Sequence, residues 1–129
     1  MIRLYLIIAG IVAMAIGTMI LFAPVVFYAG YGLDLARQVT LLNELRSHGF
    51  AMLGAGLFIA GGVFVPHLVR ASTMAAALFY LSYGLSRLVG VAFDGLPADS
   101  MTLAGAIELI LGLVGLGLIV WSRRLAPAR

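Results

Sequence analysis

Long apolar stretches alternate with short polar ones along the chain. No charged residue occurs between Leu4 and Leu33, and three further apolar stretches follow it. Because a helix needs about 20 mainly apolar residues to cross a bilayer, this pattern predicts four membrane-spanning helices. We place them at residues 4–27, 40–65, 72–93 and 101–121.

The polar stretches between these helices are short. The second helix is predicted to begin within VTLLNELRSH, residues 39–48, and to stop before Pro66, because proline cannot continue a helix. DGLPADS, residues 94–100, predicts a tight turn in which Gly95 takes a positive φ. The sequence therefore predicts an all-α, integral membrane four-helix bundle with short connections, forming a single domain over residues 1–129.

Small residues recur within the predicted helices at spacings that permit close packing. Such spacing lets helix backbones approach each other, although glycine and alanine are also simply common in membrane helices. The residues concerned are Ala9, Ala13 and Gly17 in the first helix, Ala51 and Ala55 in the second, and Ala104 and Gly112 in the fourth.

Composition supports the membrane assignment and excludes several functions. Of 129 residues, 64% are hydrophobic and 10% are charged, and the mean hydropathy of +1.16 is far above that of soluble domains. The basic residues are arginines near helix ends, which argues against nucleic acid as a partner. The absence of cysteine excludes disulfides and thiolate chemistry, and no metal-ligand spacing occurs, so we expect no cofactor and no metal.

The distribution of arginines predicts the orientation in the membrane. Positive residues are enriched in cytoplasmic segments, and aromatic residues are enriched at both interfaces. Both termini are therefore predicted to be cytoplasmic, with Trp121 at that interface and Phe27, Tyr28 and Tyr31 at the other. The cytoplasmic group comprises Arg3, Arg70, Arg123, Arg124 and Arg129, and the opposite side has Arg37 and Arg46.

Two charged residues fall inside predicted spans at similar depths. At about 1.5 Å per residue, Arg87 lies roughly 22 Å above Ser72 on the third helix, and Glu108 lies roughly 20 Å above Trp121 on the fourth. An unpaired charge at this depth would be costly. We therefore predict a buried ion pair between Arg87 and Glu108, either as the floor of a polar pocket or as a structural pair that fixes helix register.

Further polar residues are predicted to lie above this pair. Counted in the same way, His48 and Glu44 lie roughly 27 and 33 Å above Pro66, and Asp94 reaches the level of Glu44. Tyr80 and Tyr83 share the helix face of Arg87. These residues predict a pocket in the exoplasmic half, although charges at this edge are also tolerated as purely interfacial groups.

Arg46 lies in the same segment as Glu44 and His48, but it is the residue least expected to face this pocket. It is two residues from both Glu44 and His48, and at about 100° per residue it points roughly 160° away from each. We therefore expect Arg46 to serve the membrane interface instead of the pocket.

Three segments resemble a known family. NELRSHG at residues 43–49, GLSRLVGVAFDGLP at 84–97, and an acid followed by LILGLVG at 109–115 resemble the small bacterial four-helix membrane proteins of the domain of unknown function 4345 family, which are similar to the DoxX-like group. The resemblance implies a four-helix bundle in a bacterial cytoplasmic (inner) membrane and brings no activity with it. Its marked positions would be Asn43, Glu44, Arg46, Arg87, Asp94, Gly95 and Glu108.

Three functions are consistent with these features. The first is a binding or accessory protein that holds a lipid-like amphiphile or a membrane-protein partner. The second is a proton-coupled small-molecule transporter, and the third is a membrane enzyme acting on a lipid or isoprenoid group, so enzymatic activity stays undecided, as does homo-oligomer formation. The predicted ligand pocket comprises Asn43, Glu44, His48, Tyr80, Tyr83, Arg87, Asp94 and Glu108.

Overall fold

The computed structural model describes residues 1–125, and it describes side chains as far as Ser122. This part of the chain is helical and has no β-strand. Four of its helices are long and apolar enough to cross a membrane. In chain order the helices are α1 (Ile2–Phe22), α2 (Pro24–Ala29), α3 (Val39–Phe64), α4 (Val69–Asp94) and α5 (Asp99–Leu125).

The first predicted helix, residues 4–27, is divided in the structure. Ala23 leaves the helical conformation, with φ −132° and ψ 50°, and the buried Pro24 follows it. Proline has no N–H for the next helical hydrogen bond and its ring clashes with the preceding turn. The chain therefore changes direction after Phe22, and α2 is a separate short helix.

The other helices begin and end near polar or proline residues. α3 begins at Val39, ten residues before Gly49, so NELRSH is helical throughout. A 3₁₀ turn at Pro66–Leu68 separates α3 from α4. Gly95 has φ +93°, which confirms the positive φ predicted for the turn between α4 and α5.

The long helices are arranged as two tightly packed pairs, α1 with α3 and α4 with α5. Glycines make both contacts close. A Cβ added to Gly17 would lie 2.5 Å from the Leu53 nitrogen, and one added to Gly112 would lie 2.7 Å from the Leu81 nitrogen. On α3 the contact residues are glycines such as Gly49 and Gly56, whereas the predicted Ala51 is exposed and Ala55 is only half-buried.

The two helix pairs meet along a seam, and one end of this seam is tightly packed. There the Tyr80 hydroxyl donates a hydrogen bond to the Ala9 carbonyl at 2.6 Å, and the Tyr5 hydroxyl donates to the Leu111 carbonyl at 3.0 Å. Such interhelical hydrogen bonds satisfy polar groups that lipid cannot. We call this region the closed end of the seam; its fully buried residues include Leu6, Ala9, Ala13, Ile59, Ser72 and Ala76.

Part of the charge pattern that predicts orientation lies outside this description. Arg129 is beyond the described residues, and the side chains of Arg123 and Arg124 are also outside them. Arg3 and Arg70 lie at the end where α1 and α4 begin. Which side of the membrane this end faces stays a prediction.

Candidate functional site

A cavity of about 160 Å³ occupies the other end of the seam, which we call the open end. All five helices contribute to its wall, so it exists only when both helix pairs and α2 are in place. We call it the seam cavity; its lining residues are Ile16, Ile20, Phe27, Tyr28, Tyr31, His48, Met52, Tyr83, Ser86, Arg87, Met101, Ala104 and Glu108.

The predicted charge pair lies in the wall of this cavity. The Nε of Arg87 lies 3.4 Å from Oε2 of Glu108. The Arg87 side chain is 35% exposed and that of Glu108 is 13% exposed, so the prediction of a buried pair is wrong. The physical reason is that Arg87 also lines an outer groove at the end of α4, together with Asp94 and Pro97, so part of its side chain stays exposed.

The packing around Arg87 depends on a small neighbour. A Cβ added to Gly105 would stand 3.1 Å from Cγ of Arg87, closer than most such contacts. Gly105 on α5 thus leaves room for the arginine stem to pass between α4 and α5. The guanidinium reaches the cavity with one hydrogen bond to Glu108, and it has five N–H donors in total.

A second polar pair faces the same cavity. The Tyr83 hydroxyl and Nε2 of His48 are 2.7 Å apart, which joins α4 to α3 across the seam. Phe79 supports the tyrosine ring at a centroid distance of 4.9 Å. Which of the two groups donates this hydrogen bond depends on the tautomer of His48.

α2 and the residues after it cover the cavity with aromatic rings. Phe27 packs edge-on against Tyr28 and Tyr31, with ring centroids 5.1 and 5.4 Å apart. Ser100 Oγ donates a hydrogen bond to the Gly30 carbonyl at 3.3 Å, which ties this cover to the start of α5. Burial raises the pKa of the Tyr28 hydroxyl although the nearby Arg87 opposes this, so Tyr28 stays protonated at neutral pH.

The family described as "Domain of unknown function (DUF4345)" matches residues 1–119 of the chain. The chain belongs to this family. The matched residues include the whole lining of the seam cavity. No curated protein and no solved structure matches the chain. The predicted relationship of this DUF4345 chain to the DoxX-like group, and its bacterial origin, stay predictions.

Four of the eight residues predicted for the site line the seam cavity of this DUF4345 protein: His48, Tyr83, Arg87 and Glu108. The other four lie elsewhere. Tyr80 faces α1 and bonds to Ala9, at the closed end. Asn43 and Glu44 are exposed on α3, beyond the point at which α1 ends, and Asp94 is exposed at the last residue of α4.

For the aromatic residues on α2 and just after it, the sequence predicts only a position at the membrane interface. Phe27, Tyr28 and Tyr31 also line the seam cavity of the DUF4345 protein, and their position at the membrane interface stays a prediction. Pro24 is the one signal that could have indicated this, because a proline near the end of a span predicts a change of direction. Ile16, Ile20 and Met52 were also missed, since apolar residues on a helix carry no mark that distinguishes a cavity wall from a packed core.

Arg46 has a structural position in the DUF4345 fold. Its guanidinium donates a hydrogen bond from Nη1 to the Leu21 carbonyl, in the last turn of α1. The last carbonyls of a helix have no intrahelical partner, and a positive charge is favourable there. Arg46 therefore links α3 to the corner at which α1 gives way to α2, outside the cavity.

As far as its side chains are described, the DUF4345 protein has no cluster of titratable residues typical of metal ligands. Within the described side chains, no group of three histidine, aspartate, glutamate or cysteine residues lies close enough to hold an ion. The chemistry that the cavity offers is hydrogen bonding by Arg87, Tyr83 and His48, together with apolar contact.

Proposed function

We propose that this protein binds the polar head of a single-chain, lipid-like amphiphile in the seam cavity. The observation that supports this most strongly is the Arg87 guanidinium in the wall of a small cavity that combines polar groups, such as Ser86 and Glu108, with aromatic and aliphatic side chains. Such pockets combine mostly apolar walls with a few polar groups that orient the ligand. The preferred head is a carboxylate or a carbonyl group.

Arg87 has donors to spare for such a head. Glu108 accepts from Nε, which leaves the terminal N–H groups of the guanidinium for a ligand oxygen. Two parallel N–H donors suit the two oxygens of a carboxylate. Glu108 would then act as the group that fixes the plane of the guanidinium, and the Tyr83 hydroxyl would offer one further hydrogen bond from the adjacent turn of α4.

The volume of the cavity limits the ligand. About 160 Å³ is less than the roughly 300–1,000 Å³ of pockets that enclose a whole drug-sized molecule. The cavity can therefore hold a head but not a lipid tail. The tail would leave past Ile16, Ile20 and Met101, apolar residues on α1 and α5 that line the same cavity.

Packing at the closed end favours binding over proton-coupled transport. A transporter needs a polar route to each side of the membrane, but below the cavity Leu6, Ala9, Ile59 and Ala76 are fully buried and tightly packed. The polar groups there are hydroxyls that already donate to helix carbonyls. A bound amphiphile would therefore enter and leave on the side of the open end.

We infer that the open end faces the exoplasm of a bacterial inner membrane and that both termini are cytoplasmic. The arginine distribution supports this orientation. Reporter fusions at Met1 and within residues 34–38 would test it; a reporter that is active only in the cytoplasm should function at Met1 and not in the connection between α2 and α3.

A cavity-filling variant tests the binding proposal. Ala104 lines the seam cavity, whereas Ala106 lies two residues further along α5 and is exposed. Ala104→Phe should lower retention of added oleate by about tenfold in native mass spectrometry, while Ala106→Phe, its matched control, should leave it unchanged. Oleyl alcohol, with the same chain and no carboxylate, should be retained more weakly than oleate by the unaltered protein.

Two results would contradict this proposal. Equal retention of oleate by the Ala104→Phe and Ala106→Phe variants would place the ligand outside the seam cavity. Proton flux into liposomes that depends on added substrate and disappears in Glu108→Gln would favour transport instead. Thermal melting of each variant in detergent checks that the bundle is intact.

A further inference from the structure

The end of the molecule farthest from the seam cavity has no acidic side chain in its sequence. The five acids of the chain are Asp34, Glu44, Asp94, Asp99 and Glu108, and all belong to the open half or the connections above it. The first turns of α1 and α4 and the 3₁₀ turn contribute basic groups alone: Arg3, His67 and Arg70. We call this region the basic end.

A second cavity, of about 280 Å³, lies at the basic end. It is formed where α1 and α4 begin and where the last described turns of α5 pass them. His67, Arg70 and Ser122 form its polar side, and Ile2, Leu118 and Ile119 form its apolar side. His67 and Arg70 are exposed, so a ligand can reach them without a conformational change.

The depth of this cavity corresponds to lipid headgroups. Trp121 precedes Ser122 on α5 and is 46% exposed. Exposed tryptophan in a membrane helix is typical of the interface between headgroups and acyl chains. The polar side of the cavity therefore lies at the level of phosphates, and its apolar side continues along α5 toward the hydrocarbon core.

We propose that this cavity binds an anionic phospholipid. Arg70 and His67 would contact the phosphate, and one acyl chain would lie against Ile2, Leu118 and Ile119. Basic pockets between helices are the usual binding sites of anionic headgroups. A free phosphate ester would use the basic side alone, whereas a phospholipid uses both sides, and the presence of both is what favours the lipid.

The test compares phosphatidylglycerol with phosphatidylcholine of identical chains, bound to the full protein in detergent and measured by native mass spectrometry. The unaltered protein should prefer phosphatidylglycerol by about tenfold. The double variant His67→Gln with Arg70→Gln should lose this preference. Arg37→Gln, an exposed arginine between α2 and α3, is the matched control for a change of charge, and it should retain the preference.

A third variant tests the cavity without any change of charge. Ser122→Trp places a large side chain in its polar side and should also reduce the preference for phosphatidylglycerol. Three outcomes overturn the proposal: an equal loss in Arg37→Gln, no loss in Ser122→Trp, or glycerol 3-phosphate that competes as well as the lipid. Thermal melting of each variant checks that it is folded. If the double variant does not fold, Ser122→Trp still tests the proposal.

Discussion

The two ends of the seam handle polar groups in opposite ways. At the closed end the hydroxyls of Tyr80 and Ser72 donate to backbone carbonyls of other helices, those of Ala9 and Phe58. At the open end side chains pair with other side chains, Arg87 with Glu108 and His48 with Tyr83, in the wall of the seam cavity. The hydrogen bonds of the closed end thus join helix backbones, whereas those of the open end join side chains in the wall of the seam cavity.

The largest expected effect on stability comes from a substitution that disrupts packing at the closed end. A Cβ added to Gly62 would lie 2.5 Å from Cβ of Ser72, a fully buried residue, whereas nothing lies within 4 Å of one added to Gly61. Gly62→Val should therefore lower the free energy of unfolding by roughly 3 kcal/mol through overpacking and loss of the Ser72 hydrogen bond. Denaturant unfolding in detergent measures this.

Gly61→Val is the control because the two residues are adjacent on α3 and the substitution is the same. It should change the free energy of unfolding by less than about 0.5 kcal/mol, as surface substitutions usually do. Comparable destabilisation by both variants would mean that helix propensity, and not packing at the seam, determines the stability of this region.

The next effect concerns the charge pair. Arg87→Leu alone and Glu108→Leu alone should each cost about 1–2 kcal/mol, less than for a fully buried pair because Arg87 is partly exposed. The double replacement should recover most of this stability and still fail to retain oleate. Denaturant unfolding and native mass spectrometry of the three variants test this. If the double variant retains oleate, the charge pair has only a structural role.

A matched pair of tyrosine variants sharpens the comparison between the two ends. Tyr80→Phe removes the hydrogen bond to Ala9 and should cost about 1 kcal/mol of stability without changing oleate retention. Tyr83→Phe removes the hydrogen bond to His48 and should lower oleate retention without a comparable loss of stability. If the two variants behave alike, the distinction between a structural end and a binding end is wrong.

The smallest effect concerns the corner between α1 and α2. Arg46→Leu removes the hydrogen bond to the Leu21 carbonyl and should cost about 0.5 kcal/mol, the usual value of a charge at a helix end. Hydrogen exchange should accelerate near Ala23 because this corner is then less restrained. Arg37→Leu is the control because it removes the same charge at a position away from this corner. If it also accelerates hydrogen exchange near Ala23, the effect of Arg46→Leu is a general electrostatic one.

Much of the fold could be predicted because each long helix needs enough apolar residues of its own to cross the bilayer. Apolar length and proline positions indicate the four spans, and counting the helical rise brings Arg87, Glu108 and His48 to one end. The division of the first span at Ala23 could not be predicted in detail, since a proline near an interface is equally compatible with a plain helix end.

The predicted residues that lie outside the seam cavity show what a comparison of helix faces leaves out. Tyr80 shares a face with Tyr83 and Arg87, but α1 packs at the level of Tyr80, so its hydroxyl is used there. Glu44 shares a face with His48, yet at its level α1 has already ended and nothing encloses it. Depth and face identify candidates, whereas the neighbouring helix decides which candidates meet.

The hydrogen bond between Tyr5 and Leu111 also bears on biosynthesis. Its two residues are 106 positions apart, in the first and last membrane spans. As the chain emerges from the ribosome, the Tyr5 hydroxyl lacks this partner until the segment that contains Leu111 has been made. The seam can therefore close with this hydrogen bond in place only after α5 has been inserted, and a chain truncated before Leu111 would leave the Tyr5 hydroxyl without this partner in the membrane.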